Sequence, residues 1–256
     1  MLNIKVNGNF MAYERHGKGS ALVLLHGYPF DHSTWEPLVA LLEDNFDLIL
    51  PDLRGFGESE IVGTNFTMAA YAADIADLLD QLQIQKAAIT GHSMGGYAAL
   101  AFASTYPGRV LGLGLVSSQT LADAPDRKTA RLQDAENILK NGVKDTAEAM
   151  PVKLTENPGL QLWLKELILR QRPEALAGAL RAMADRPDST PKLSGFDFPI
   201  VLVHGLADAL IPVKQARSVK MVVPGAYLTE IPAVGHMPMM EAPEATAQAL
   251  KKLSTQ

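Results

Sequence analysis

The stretch Ala87-Ala88-Ile89-Thr90-Gly91-His92-Ser93-Met94-Gly95-Gly96-Tyr97-Ala98-Ala99-Leu100 runs from a short apolar segment, through a serine between glycines, into an alanine-rich helical pattern. In a chain of this composition a G-x-S-x-G pattern is expected by chance only about 0.07 times. A serine hydroxyl is a poor nucleophile unless it is presented to a base. A sharp strand-to-helix turn presents it clear of the backbone, and glycines two residues away on either side keep that turn free of clashes. The plain alternative is a tight turn in which Ser93 only caps the helix that follows.

Similar apolar runs recur at 21–25, 46–50, 110–116, 200–203 and 226–231, each ending at a turn. Continuous rather than alternating apolar runs suit strands buried on both faces, and helical stretches such as 68–82, 96–106 and 243–253 between them imply parallel crossovers. The first residues differ. Ile4/Val6 and Phe10/Ala12 alternate around Asn7-Gly8, a dipeptide suited to a tight hairpin. The expected class is α/β, a mostly parallel eight-stranded sheet with an N-terminal antiparallel hairpin and helices on both faces. Between Ser118 and Pro199 the spacing is far longer than a crossover needs. This segment carries helical patterns at Leu132/Ala135/Ile138/Leu139, Leu160/Trp163/Leu164/Leu167/Ile168 and Leu176/Leu180/Met183, broken at prolines. It reads as a helical cap, residues 119–196, inserted in a core of 1–118 and 197–256.

A nucleophilic serine needs a base, and the base needs an orienting carboxylate. Of six histidines, His16 lies in the hairpin, His204 inside a strand, and His92 beside Ser93 but directed away from it. His236, in a loop after the last strand and next to Gly235, is the best base. Asp208 follows the strand 200–203 at the carboxyl edge, where open α/β sheets place their ligands. Asp123 competes for the acid role from the same edge, while Asp197 lies at the opposite edge and Glu230 within a strand. The backbone N–H groups of Met94, at a helix N-terminus, and Tyr28, in His26-Gly27-Tyr28-Pro29, are the candidate oxyanion donors. His26 is expected to brace that loop.

The chain resembles the α/β-hydrolase fold superfamily over nearly its whole length. The resemblance rests on His26-Gly27-Tyr28-Pro29, Asp52-Leu53-Arg54-Gly55-Phe56-Gly57-Glu58-Ser59, Gly91-His92-Ser93-Met94-Gly95, Gly205-Leu206-Ala207-Asp208 and Gly235-His236. The order Ser93, Asp208, His236 matches the order found in that superfamily. The resemblance also implies that 52–59 forms a structural loop with Arg54 tied to backbone or to a carboxylate. Glu60 stands where a dinucleotide-binding loop would carry its third glycine. Relatives with an aspartate nucleophile are disfavoured by Ser93. The compact length and the stretch 26–32 are similar to enol-lactonase-like hydrolases and cofactor-free haloperoxidase-like esterases.

Composition narrows the function. A net charge of -5 without a basic run argues against nucleic acid. The absence of cysteine removes thiol nucleophiles and thiolate metal sites. No cofactor and no metal are expected. Asn65-Phe66-Thr67 matches a glycosylation sequon, best read as chance. No apolar run is long enough to cross a membrane, and residues 1–8 show no signal sequence, so a cytoplasmic protein with no membrane partner is expected. The cap surface could pair subunits into a homo-oligomer. The expected activity is a serine carboxylic-ester hydrolase with a small-molecule ester substrate, small to medium and largely apolar. Phe30, Trp163, Leu164, Leu167, Met183 and Met237 are candidate substrate contacts. A lactonase, a carbon-carbon bond hydrolase and a receptor without turnover are the alternatives.

Overall fold

The computed structural model describes residues 1–61, 63 and 66–254; Asn65 of the sequon lies outside them. The strands are β1 (Leu2–Val6), β2 (Asn9–Gly17), β3 (Ser20–Leu25), β4 (Phe46–Pro51), β5 (Ala87–His92), β6 (Val110–Val116), β7 (Ile200–Gly205) and β8 (Tyr227–Ile231). They form one sheet in the order β1-β2-β4-β3-β5-β6-β7-β8. β1 and β2 form the antiparallel hairpin, turning at Asn7 (φ 47°) and Gly8 (φ 87°) as that dipeptide favours. β2 runs antiparallel to β4, and every later pair is parallel.

The helices of the core are α1 (Glu36–Leu42), α2 (Met68–Gln81), α3 (Met94–Thr105), α9 (Lys214–Val222), α10 (Pro238–Glu241) and α11 (Pro243–Leu250). Neighbouring strand residues face opposite sides. Val23, Leu25, Ile49, Ile89, Leu113 and Leu202 join one buried cluster with Ile75, Leu79, Phe102 and Val219 from α2, α3 and α9. Leu22, Leu24, Leu48, Val201 and Val203 join another with Leu38 and Leu250 from α1 and α11. The continuous apolar runs are thus explained by a sheet covered on both faces.

Five helices lie between β6 and β7: α4 (Pro125–Asn141), α5 (Lys144–Ala149), α6 (Pro151–Leu154), α7 (Pro158–Leu169) and α8 (Pro173–Ala184). Four of them begin on a proline, whose fixed φ suits the first helical position and whose missing N–H is no loss there. Their apolar residues divide between the two clusters. Leu176, Leu180 and Met183 pack into the first, and Leu164, Leu167 and Ile168 into the second. The joint between α7 and α8 is tied by side chains to the loop after β4. Gln171 accepts from Gly57 N–H at 3.1 Å. Arg172 donates to the carbonyls of Gly55 and Gly57 at 3.0 Å and to that of Ser59. Among the described residues no helix is long and apolar enough to cross a membrane.

Burial separates two leucine deletions. Leu79→Ala in α2, fully buried, should cost about 2–5 kcal/mol through lost apolar transfer and a residual cavity. Leu162→Ala in α7, 62% exposed, should stay within about 0.5 kcal/mol. Urea unfolding of both variants checks the contrast.

Candidate active site

β5 ends in a turn with Ser93 at φ 49° and ψ -112°, and α3 begins at the next residue. A serine held at positive φ is uncommon and costs on the order of 1–3 kcal/mol unless its surroundings enforce it. They do so here. The N–H of Ser93 donates to Val116 O at 2.9 Å, and the Ser118 hydroxyl donates to Ser93 O at 2.8 Å. Gly95 permits a close approach: a Cβ there would run into the carbonyl oxygens of Leu25 and His26. The turn therefore lies directly against the end of β3 and the loop that follows it.

That loop begins with His26, fully buried. Its Nε2 accepts from Leu53 N–H at 2.9 Å and its Nδ1 lies 3.0 Å from Gly27 O. The network assigns a neutral imidazole with the proton on Nδ1, consistent with burial pushing His26 below its ordinary pKa. His26 thus braces the Tyr28 loop against the segment after β4, as expected. Tyr28 and Pro29 are joined by a cis peptide. The N–H of Tyr28 has no acceptor among the described residues. That of Met94 opens α3, where the first N–H groups have no intrahelical partner.

The carboxylate and imidazole come from loops after β7 and β8. A Cβ at Gly205 would strike the backbone of Val234 and Gly235, so the two loops are in close apposition. Asp208 Oδ2 lies 2.8 Å from His236 Nδ1, with both side chains almost wholly buried. The other carboxylate oxygen accepts from the N–H groups of Leu210 and Ile211 at 2.9 Å each. Burial alone would raise the Asp208 pKa; His236 and the backbone donors outweigh it and hold the carboxyl below its ordinary value. His204 Nε2 is 2.6 Å from Ile211 O and 3.4 Å from Asp208 Oδ2.

Asp123 is engaged elsewhere. It lies 2.6 Å from Arg131 and 2.8 Å from Arg186, and it is Asp208 that meets His236. Glu230 pairs with Arg217 at 2.6 Å on the surface.

His92 does more than its place beside Ser93 suggested. Its Nε2 lies 2.8 Å from the backbone oxygen of His236, and the two rings are 4.9 Å apart. Burial pushes His92 well below its ordinary pKa. It is therefore a neutral donor through Nε2, and Nδ1 is left without a partner among the described residues. This contact sets the residue preceding Ser93 against the backbone of His236. No sequence signal separates it from a spectator histidine.

The loop after β4 is a support. Arg54 makes a two-pronged bond to Asp74 at 2.7 and 2.8 Å. Asp52, fully buried, accepts from His32 N–H and His32 Nδ1 through Oδ1, and from Glu58 N–H through Oδ2. Asp31, His32 and Asp52 bring possible metal-binding atoms within 4.8 Å of one another, but His32 Nδ1 is already committed to Asp52 at 2.7 Å.

A cavity of about 440 Å³ opens between α4, α5 and α6, with Tyr28 and Leu210 in its wall. The rest of the lining includes Arg127, Arg131, Asp134 and Lys153. None of Phe30, Trp163, Leu164, Leu167, Met183 and Met237 lines it. Phe30, Leu164, Leu167 and Met237 are buried in one core cluster, with Trp163 packed against it, and Met183 is buried in the other.

The profile of the alpha/beta hydrolase family matches residues 22–249. The chain belongs to this family. An esterase of this fold from Thermogutta terrifontis, solved with malate bound, is 35% identical with a TM-score of 0.94, and the match covers 99% of both chains. The enol-lactonase of Burkholderia xenovorans is 25% identical with a TM-score of 0.90 over the whole of both chains. A pimeloyl-[acyl-carrier protein] methyl ester esterase from Aliivibrio salmonicida is 29% identical over 89% of each protein. This alpha/beta hydrolase is thus similar to esterases and an enol-lactonase alike.

The buried pair His32–Asp52 makes stability depend on pH. Burial alone would lower the His32 pKa, but the hydrogen bond and charge of Asp52 raise it above the ordinary value, and His32 in turn holds Asp52 below its own. The stabilisation from charged His32 is therefore complete below its unfolded pKa of about 6.5 and is lost as pH rises through the folded value. Melting curves of the wild type and His32→Asn should differ most near about pH 6, and the difference should narrow as pH rises through the raised folded value of His32. A pH-independent difference would contradict the pairing.

Proposed function

We propose that the protein is a serine hydrolase that cleaves small to medium carboxylic esters through an acyl-enzyme. The observation that carries this reading is the 2.8 Å bond from His236 to Asp208, at the same sheet edge as a serine held on a positive-φ turn. Asp208 fixes the proton on His236 Nδ1, so Nε2 is free to take the Ser93 proton as the hydroxyl oxygen attacks the ester carbonyl. The N–H groups of Tyr28 and Met94 receive the charge that develops on the carbonyl oxygen. Such donors are worth about 2.7–4 kcal/mol each in the transition state. The protonated His236 then gives its proton to the departing alcohol, and the acyl group stays on Ser93. Water activated by His236 releases the acid and restores the enzyme.

The segment 119–196 is, in this reading, a cap that covers the site. The wall containing Arg127, Arg131, Asp134 and Lys153 favours a substrate whose outer end is polar, while the apolar residues named from the sequence serve as the packing behind it. A lactone is the second substrate class, favoured by the likeness to the enol-lactonase. Its hydrolysis needs the same groups in the same roles. A receptor of this fold that binds without turnover is distinguished by kinetics alone.

Purified protein should hydrolyse p-nitrophenyl acetate or butyrate with many turnovers, and Ser93→Ala should abolish it. Turnover that survives Ser93→Ala, or binding without turnover, overturns the reading. Asp208→Asn should lower kcat by orders of magnitude, while Asp123→Asn should leave the kcat of the folded protein near that of the wild type.

A further inference from the structure

His236 is held by its backbone as well as by Asp208, and much of that hold comes from the inserted helices. Its N–H donates to Leu154 O, at the end of α6, at 2.7 Å. A Cβ on Gly235 would come within 2.5 Å of the same carbonyl oxygen, so this approach requires the glycine. On the other side, the His236 carbonyl accepts from His92. The flanking N–H groups converge on one carboxylate: Met237 donates to Glu241 Oε1 at 3.1 Å and Gly235 to Oε2 at 3.3 Å. The same Oε2 accepts the hydroxyl of Thr155 at 2.7 Å. Thr155, 3% exposed, is in turn fixed by Gln161, whose side chain donates to its carbonyl at 2.7 Å.

Capping of the short helix α10 would account for the contact between Glu241 and Met237 N–H. It accounts neither for the contact with Gly235 nor for the hydroxyl reaching across from residue 155. We propose that Thr155 and Glu241 are positioning residues that fasten the His236 loop to the inserted helices. The segment at Leu154 and Thr155 thereby sets where the imidazole stands. The insert is then part of what orients the base, in addition to walling the cavity beside Tyr28 and Leu210. This inference rests on the assignment of His236 as the base. A displacement of about 1 Å in such a group can cost on the order of a hundredfold in rate without altering substrate contacts.

Thr155→Val keeps the shape and removes the hydroxyl; Thr155→Ser restores it. With a p-nitrophenyl ester, Thr155→Val should lower kcat by about tenfold to a hundredfold while KM stays within about twofold. Thr155→Ser should recover most of the loss. Glu241→Gln should lower kcat in the same way, and the double variant Thr155→Val/Glu241→Gln should be little worse than either single change, because both break one link. Rates are normalised to the folded fraction at the assay temperature, so a lowered Tm does not mask the comparison. Wild-type kcat in both single variants, or a raised KM with kcat unchanged, overturns the proposal. Ser93→Ala in the same assay keeps the two questions apart. If it retains turnover the serine reading fails, and if it is dead while the Thr155 and Glu241 variants are unimpaired, only the positioning role fails.

Discussion

A serine at φ 49° persists only where its neighbours leave the chain no easier path, and the rest of this molecule is arranged around that constraint. The turn is clamped from β6 by Val116 and Ser118. From beneath, Gly95 lets the start of α3 press on the backbone of Leu25 and His26. Because β3 and β5 are adjacent parallel strands, the loop leaving β3 has nowhere to go except over the turn. This places the loop that carries Tyr28 against the start of α3, which Met94 opens. A sheet buried on both faces supplies the rigidity; its cost in strain is small beside the apolar area removed from water.

The histidine and aspartate reach the site from strands farther along the sheet, so their placement depends on longer links. Asp208 is shaped by its own turn, with Leu210 and Ile211 donating to one oxygen and His236 meeting the other. His236 lies at the junction of three otherwise separate regions: the residue before Ser93, the turn after β7 and the end of α6. The joint at Gln171 and Arg172 ties the inserted helices a second time, to the loop that also carries Asp52. Together these links make the inserted helices and the sheet mechanically continuous around the site.

Much of this was legible in the sequence because local rules carry it. Apolar runs of four to seven residues ending at turns mark the parallel strands, and Asn7-Gly8 marks the hairpin. Asp208 and His236 could be paired because each follows a strand at the same sheet edge, a matter of counting rather than contact. Other features depend on long-range approach. The bonds from Thr155 to Glu241 and from His236 to Leu154 join residues more than eighty apart, and nothing in the local pattern at 154–155 announces them. His92 reads in the sequence only as a neighbour of Ser93, since its contact with the His236 backbone is long-range. The lining of the cavity was equally hidden. Leu164 and Leu167 have the apolar spacing of a helix face, but that spacing does not distinguish a face turned to substrate from one turned to the core. The short helices α5 and α6 lack enough turns to show a period, so the insert read as three helical patterns rather than five.

In the proposed mechanism Ser93 carries the acyl group between the two halves of the reaction. The most direct measurement is to mix the protein with a p-nitrophenyl ester, quench in acid within the first turnover, and locate any added acyl mass by peptide mass spectrometry. One acyl group per chain is expected, on the peptide that contains Ser93, appearing with an equimolar burst of p-nitrophenol. An acyl group on another residue, or a burst of p-nitrophenol with no acyl group on the chain, would contradict it.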